Sequence, residues 1–500
     1  MKVSFVVPIY KKAQPTVRKC LKSLFQQSHK DIEVVCVFDG PDPDMETMVK
    51  KEFPSANVLV IPHGGAPKAR NAGFKASTGE IISFWDADCF AESRRVVHGW
   101  VFAFEKHPEM DFIYAGYKFT DPKLPGFMSE AFDPWTLRKY NYISTMFPVR
   151  REKVVEWDEA LAGLQDWDFW RRVTDAGGRG YWQGEGYGFS TEPPDKDAIS
   201  MHSSQERITR IEAVRKKHGD AESEILVVSG AYKRDAIELA KILDADYFWS
   251  PYWITRKYKT IASIGLFPQD LSGLAPFFES ASDASTRRVI YWMGYDAETM
   301  FHSPFNEVKA MVEMLNKTIE KQYCADERTK DFLEQIGISA EVLPLPVKAG
   351  KVFNTLPEKF RVLAFYDQTH QLLIDSVIKA VPDILIDRME YGKPFPLEQY
   401  SAVMQFLVNK RLDAATVKAL IQGRRVISNV QAPFAGYVDT SGGTTEIKAE
   451  VIAKLREYEP MKDIHAEAQE YYLELCAPEK FKAAFLRNKP IAMEAVGAAS

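Results

Sequence analysis

Apolar runs of strand length and amphipathic runs of helix length alternate along the N-terminal part of this chain, and that alternation restricts its fold more than any single motif. Val3–Pro8 reads as a strand, after which Val17, Leu21, Leu24 and Phe25 mark one face of a helix. Ile32–Phe38 is the next strand and Met45–Phe53 the next helix. Val58–Ile61, a helix over Ala66–Ala76 and the strand Ile81–Trp85 continue the pattern. A parallel strand pair needs a long crossover, which a helix supplies, so the alternation predicts a mainly parallel sheet with helices on both faces. Ligands of such sheets sit beyond the carboxyl ends of the strands. Asp39, Arg70, Asp86 and Asp88 all fall at or near such ends.

The strand Ile81–Trp85 delivers two carboxylates one residue apart, Asp86 and Asp88. In extended backbone, residues i and i+2 point the same way, so the pair is expected to converge on one hard cation. A divalent ion held by so few protein oxygens keeps positions open for a ligand's diphosphate. Asp-x-Asp alone is a weak signal, because acidic residues also end strands to solvate a turn. Its weight comes from the Ala-Arg-Asn-Ala-Gly helix start before it, which carries Arg70, Asn71 and Gly73.

The run over residues 63–90, HGGAPKARNAGFKASTGEIISFWDADCF, resembles the inverting glycosyltransferases of the large GT-A family 2, where an ARNxG helix precedes a strand and an Asp-x-Asp. The likeness extends over roughly residues 1–218. Val3 to Tyr10 resembles the family's first strand and Pro-x-Tyr turn, and Ile32 to Gly40 its second strand. Leu164 to Trp170 resembles its Glu-Asp-x-x-Phe/Trp segment. The resemblance implies a GT-A nucleotide-diphospho-sugar transferase domain. It implies that Pro8 and Tyr10 shape the nucleoside pocket, that Asp39 accepts from base or ribose, and that Arg70 grips phosphate. Asp88 and Asp86 become the metal site, for Mn2+ or Mg2+, with Asp86 also reaching the donor through its ribose. Asp166 becomes the catalytic base that deprotonates the acceptor hydroxyl. Each has a plainer alternative: a strand-end turn former for Asp39, an ion-paired helix residue for Arg70, a helix cap for Asp166. Two departures stand out. Gln165 replaces the usual Glu, and Gly188-Phe189-Ser190-Thr191 replaces a Tyr-Arg-x-His run, leaving His202 as the candidate substitute ligand.

A polar stretch from Arg215 to Glu224 interrupts the pattern, and a second alternation begins at Ile225. Helices are expected over Ala231–Leu243, Asn306–Lys321 and Thr329–Ile336, and strands at Val289–Trp292, Gln322–Ala325 and Val342–Pro344. Pro346–Pro357 reads as a hinge. A third alternation runs from Phe360 through Ile384–Ile386 to Val426–Ser428, and helical sequence follows from Ala466 to about Asn488. Residues 222–500 thus read as two lobes, about 222–346 and 358–465, with C-terminal helices over 466–490. Together they resemble a two-lobed Rossmann-like GT-B module of the family 4 kind, through Tyr291-Trp292-Met293-Gly294-Tyr295-Asp296, Ala325 to Lys330, Leu343 to Pro346, and Ala419 to Ile427. The alternative is another pair of flavodoxin-like or Rossmann-like domains. That family places two glutamates where this chain has Lys410 and Lys418, and an ammonium cannot accept from sugar hydroxyls. Its diphosphate-gripping Arg…Lys pair is replaced by Tyr366 to Gln371. The expectation is a retained fold with altered or lost donor chemistry.

Five hundred residues exceed what one core organises, and 46% hydrophobic content is ample for several. A net charge of −5 supplies no basic field for nucleic acid or anionic membrane, which weighs against a phage-type DNA-base glycosyltransferase. The five cysteines are widely spaced and odd in number, showing neither a disulfide framework nor zinc spacing. The first apolar run ends at Ile9, too short for a signal peptide, and no run nears the about 18 residues of a membrane span. These features predict a cytoplasmic protein whose membrane contact, if any, is made through its acceptor. Expected partners are a UDP- or GDP-linked sugar donor and a glycan or other hydroxyl acceptor. The rivals are a bifunctional enzyme with two active transferases and a non-catalytic glycan-binding protein on transferase folds. A nucleotidyltransferase would want a Gly-rich loop with Arg where this chain has Ile9-Tyr10-Lys11-Lys12.

Overall fold

A computed structural model describes residues 1–124, 126–127, 129–184, 188–193, 204–229, 231–248, 254–267, 279, 282–283, 285–347, 352–389, 396–407 and 414–487. The chain divides into two compact units, Met1–Glu222 with Ser250–Lys257, and Ser223–Trp249 with Tyr258–Ser500.

The strands of the first unit are β1 (Val3–Ile9), β2 (Ile32–Asp39), β3 (Asn57–Ile61), β4 (Ile81–Phe84), β5 (Cys89–Ala91), β6 (Phe112–Tyr114), β7 (Lys118–Phe119), β8 (Val149–Arg150), β9 (Gly180–Trp182) and β10 (Phe189–Thr191). Its helices are α1 (Gln14–Phe25), α2 (Pro43–Glu52), α3 (Ala66–Ala76), α4 (Val96–Lys106), α5 (Pro134–Lys139), α6 (Gln165–Asp175) and α7 (Ser204–Lys217). Seven strands form one sheet in the order β3-β2-β1-β4-β8-β6-β9, and β5-β10-β7 form a small second sheet. β1 to β4 are mutually parallel, as their crossover helices require, while β8 runs antiparallel to β4 and β6. β1 and β2 are buried along most of their length, which explains their near-continuous apolar sequence.

Glycine sets how closely α3 packs on this sheet. A Cβ on Gly73 would stand 2.3 Å from Val6 Cγ1 and 2.9 Å from Val37 Cγ2, so only a bare Cα lets the helix lie against β1 and β2. α6 packs on the same face of the sheet, anchored by buried Trp167, Phe169 and Trp170. Phe169 stacks on Trp157 at 4.4 Å and meets Phe84 of β4 edge-on at 5.6 Å.

The second unit holds two parallel sheets. The first contains β11 (Ile225–Val228), β12 (Asp246–Phe248), β13 (Thr260–Ile264), β14 (Arg287–Trp292), β15 (Lys321–Cys324) and β16 (Glu341–Val342), in the order β12-β11-β13-β14-β15-β16. The second contains β17 (Arg361–Tyr366), β18 (Leu385–Arg388), β19 (Ala402–Phe406), β20 (Arg425–Ser428) and β21 (Ala435–Tyr437), in the order β18-β17-β19-β20-β21. In each sheet the order of strands switches sides at its first strand, β11 or β17, where doubly wound folds place ligands. The helix Ala466–Leu475 packs Ala468 and Tyr472 into the core of the second sheet. The helix Pro478–Leu486 returns to the first, where Tyr323 Oη donates to the Ala484 carbonyl and Arg287 Nη1 to that of Phe485. Four of these strands, β12, β13, β19 and β21, are absent from the pattern read off the sequence. Among the described residues no helix is long and apolar enough to cross a membrane.

Candidate active site

The carboxyl ends of β1, β2 and β4 and the start of α6 gather most of the expected residues. Pro8 lies near the end of β1, and Tyr10 just beyond it leads into Lys11, whose φ of 47° lies in the left-handed region that a lysine seldom adopts. The next residue, Lys12, reaches across to β4, and its Nζ sits 2.5 Å from Asp88 Oδ2. Tyr10 is 43% exposed and stacks on the His63 ring at 4.3 Å.

Asp39 closes β2 and is buried. Its Oδ1 accepts from Gly64 N at 2.7 Å, and its Oδ2 accepts from Gly65 N at 2.9 Å and meets His63 Nδ1 at 2.9 Å. The carboxylate therefore fastens the loop that leads into α3. Gly65 takes φ 90° there, a conformation that glycine adopts without strain. Asp39 thus acts as a turn organiser in this conformation, while Tyr10 keeps an exposed ring.

Asp86, Ala87 and Asp88 form a turn between β4 and β5, not a continuation of the strand. The alternation expected of extended backbone is lost there, and the two carboxylates take separate partners. Arg70 Nη2 donates to Asp86 Oδ1 at 2.9 Å, while Lys12 holds Asp88. Arg70 also donates through Nη1 to Gln165 Oε1 at 3.5 Å and lies over the Trp157 ring, 4.6 Å from its centroid. The guanidinium thus joins the Asp86 turn to the first turn of α6. Its neighbour Asn71 clamps the approach to α6, donating to the Trp157 carbonyl and Glu159 Oε1 and accepting from Trp157 N.

Asp166 lies in the first turn of α6, but the cap position belongs to Leu164, at φ 53° and without a side-chain cap. Asp166 is therefore not the N-cap residue itself, though it accepts from one of the first N–H groups of the helix. Its Oδ1 accepts from Trp167 N at 2.9 Å and its Oδ2 from Asn141 Nδ2 at 2.8 Å. Desolvation raises the pKa of this carboxyl above the usual range, against the opposing pull of the Trp167 N–H and the Arg70 charge. Asp168, two residues on, belongs to a different network. It is fully buried, and its carboxylate receives His218 Nε2 at 3.0 Å, Lys217 Nζ at 2.7 Å and Arg172 Nη2 at 2.8 Å. Those contacts join α6 to the end of α7.

The segment that departs from Tyr-Arg-x-His runs directly past Asp88. Thr191 of β10 pairs with Cys89, and Glu192 N donates to the Asp88 carbonyl at 3.2 Å. Glu192 is itself held by Thr16 Oγ1 at 3.2 Å, so this place brings a further carboxylate. His202 lies outside the described residues. Among the described residues no three His, Cys, Asp or Glu side chains gather to hold a metal by themselves. Lys12, His63, Asn141 and Glu192 escaped sequence reasoning; only the long-range pairing of strands and loops brings them in.

In the second unit, Lys418 is exposed on the helix Ala414–Ile421, and Lys410 lies outside the described residues. Asp296 of the Trp-x-Gly-x-Asp run is fully buried. It accepts from the backbone N–H groups of Leu266, Met293 and Gly294, and burial pushes its pKa up to about 6. It holds together the ends of β13 and β14.

Residues 4–163 match the family described as Glycosyl transferase family 2. An uncharacterized glycosyltransferase, EpsJ of Bacillus subtilis, is 37% identical over 95 residues, which are 18% of this chain and 27% of that protein. The glycosyltransferase AglE of Haloferax volcanii is 27% identical over 192 residues, 35% of this chain and 62% of that protein. The chain therefore spans less than two thirds of the length of either relative. Among solved structures, residues 1–349 of S. aureus TarS in complex with UDP-GlcNAc align with a TM-score of 0.38 at 18% identity, covering 44% of this chain and 68% of that one.

Proposed function

Since the chain carries a glycosyltransferase family 2 domain over residues 4–163, we propose that it is a metal-dependent inverting glycosyltransferase, moving a sugar from a UDP- or GDP-linked donor to a hydroxyl acceptor in glycan or polysaccharide synthesis. The observation that carries this reading is the bridge made by Arg70, which touches Asp86 on one side and Gln165, the neighbour of Asp166, on the other. A phosphate-compatible guanidinium, two carboxylates and a base candidate thereby line one edge of one sheet. Inversion by single displacement requires a base that removes the acceptor's proton, and a carboxyl raised above its usual range suits that task. Asp166 fills the role. Tyr10 and Pro8 bound the nucleoside side, and Asp39 supports them by ordering the loop at His63.

Asp88 and Asp86 are the residues that would hold the cation, with His202 as a further candidate ligand. Mg2+ and Mn2+ accept one or two carboxylates and fill the rest of their shell with phosphate and water, so this incomplete donor set fits them. Once bound, such an ion neutralises charge on the departing diphosphate. Lys12 and Arg70 supply charge of the same sign from the chain itself.

For the second unit we propose a GT-B-like module without a working donor site. Two parallel sheets in series, with a last helix returning to the first, support the fold assignment. The exposed Lys418, where a carboxylate would be needed, supports the loss of donor chemistry.

A nucleotide-sugar hydrolysis panel with Mn2+ on the full chain tests the proposal. One UDP- or GDP-sugar should be turned over, and Asp88→Ala should lower both turnover and Mn2+-dependent nucleotide binding by tenfold or more, about 1.4 kcal/mol. Full activity in excess EDTA refutes metal dependence. No turnover of any donor refutes the reading as a whole.

A further inference from the structure

Residues 140–149 are buried throughout yet form no regular structure before β8. A buried irregular segment must find a partner for each of its polar groups or pay a desolvation penalty on the order of 1–3 kcal/mol per group. This one does so by bonding to the elements around it. The Ser144 carbonyl accepts from Trp170 Nε1 at 3.1 Å, and the Met146 carbonyl accepts from Ser83 Oγ at 2.7 Å. The segment is thereby pinned to α6 and to β4, the two elements that carry Asp166 and lead to Asp86.

Asn141 belongs to this segment and is buried. Its Oδ1 accepts from Ile143 N at 3.1 Å, which fixes which end of the amide faces outward. Its Nδ2 donates to Asp166 Oδ2 at 2.8 Å. The Trp167 N–H already holds Oδ1, so the carboxylate has one donor on each oxygen and cannot rotate without losing both. Asn141 comes from far outside α6, and its bond to Asp166 is not one that a helix needs for its own closure.

We propose that Asn141 is a positioning residue for Asp166: its locked amide fixes the rotation of the carboxylate, so that the same lone pairs stay free for the acceptor's proton. The inference rests on the reading of Asp166 as the base. A purely structural asparagine, satisfied in a buried loop, would affect folding but not the proton transfer. Loss of orientation at a reacting group of this kind costs up to about a hundredfold in rate.

The test uses the full chain with Mn2+ and the most rapidly hydrolysed sugar among UDP-glucose, UDP-N-acetylglucosamine and GDP-mannose. Asn141→Ala should lower kcat for hydrolysis by roughly tenfold to a hundredfold, with the Kd for UDP or GDP unchanged within about twofold. Removing a donor disfavours the charged carboxylate, so the acid limb of the kcat profile should move to higher pH. Asp86, Arg70 and Tyr117 also influence this titration and remain in place. In an Asp166→Asn background, Asn141→Ala should add less than about a twofold effect, because residues that act as a unit are not additive. Asn141→Asp keeps the shape, removes the donor and adds a like charge; it should shift the acid limb in the same direction if the alanine variant folds poorly.

Wild-type kcat in both Asn141 variants overturns the inference alone, provided that Asp166→Asn is inactive. An equal slowing by Asn141→Ala in the Asp166→Asn background also overturns it, by assigning the loss to general damage. Full turnover by Asp166→Asn removes the base reading and the inference with it, as does a panel with no hydrolysis at all.

Discussion

Asp168→Asn separates the two aspartates of the Asp166-Trp167-Asp168 run, and its effect follows from the contacts of a single carboxylate. In the native fold Asp168 receives His218, Lys217 and Arg172, and asparagine would leave these groups facing a neutral amide. Removing one partner of a buried ion pair costs about 3–5 kcal/mol. Here the side chains of Lys217 and Arg172 are 30% and 26% exposed, so both recover some hydration, and Lys217 keeps Asp158 at 2.5 Å. The expected loss is therefore about 2–3 kcal/mol, or roughly 5–10 °C in Tm for a unit of this size. Calorimetric melting of the full chain near neutral pH measures it. Burial alone would raise the Asp168 pKa, but hydrogen bonds from His218, Lys217 and Arg172 outweigh that and hold the carboxyl well below its usual range. A carboxyl depressed by folding stabilises the fold above its unfolded pKa, about 4, and the contribution is lost as pH falls through the folded value. The gap between wild type and variant should be full above about pH 5 and should narrow in more acid solution. Hydrolysis per folded molecule at low temperature should survive. A Tm within about 2 °C of wild type at neutral pH would refute the reasoning.

Asp166→Asn should do the reverse, lowering hydrolysis by about a hundredfold or more while leaving Tm and the calorimetric Kd for UDP or GDP near wild type; a collapse in nucleotide affinity would make Asp166 structural. In the full chain carrying Asp88→Ala and Arg70→Ala, titration with UDP, GDP and their sugars should show no micromolar site, because the second unit is expected to bind none. A residual micromolar site with sugar transfer would make the protein bifunctional.

Most of the parallel half of the first sheet was legible because β1, β2 and β4 are buried and therefore written largely in valine, isoleucine and phenylalanine. The short strands β5, β6 and β10 were not, since three residues carry no measurable period. β13 and β19 escaped for another reason: buried Ser263 and Gln405 interrupt their apolar runs. The candidate site divides along similar lines. Asp86 stood out by the spacing of Asp-x-Asp and Arg70 and Asp166 by resemblance to family motifs, and the structure brings Arg70 against both of the segments that carry the other two. The orientation of Asp86 and Asp88 did not follow from alternation, because the chain turns at that point. Lys12 and Asn141 depend on pairings across 76 and 25 positions of sequence, which no window of periodicity reports.

The assignment of Ser250–Lys257 to the first unit has a consequence for how the protein is made. The strands before and after that stretch, β12 and β13, belong to the second unit, so the chain passes between units more than once. Within the first unit, Arg215 of α7 donates to Thr255 at 3.1 Å, and Arg256 pairs with Glu222 at 3.5 Å. Domains usually fold in order as they leave the ribosome, at about 5–20 residues per second. Here the leading unit lacks its final piece until residue 257 is synthesised, by which time β11 and β12 of its successor have already been made. The two units share a window of synthesis, and a gene cut after Glu222 would release the transferase domain without the segment that completes it.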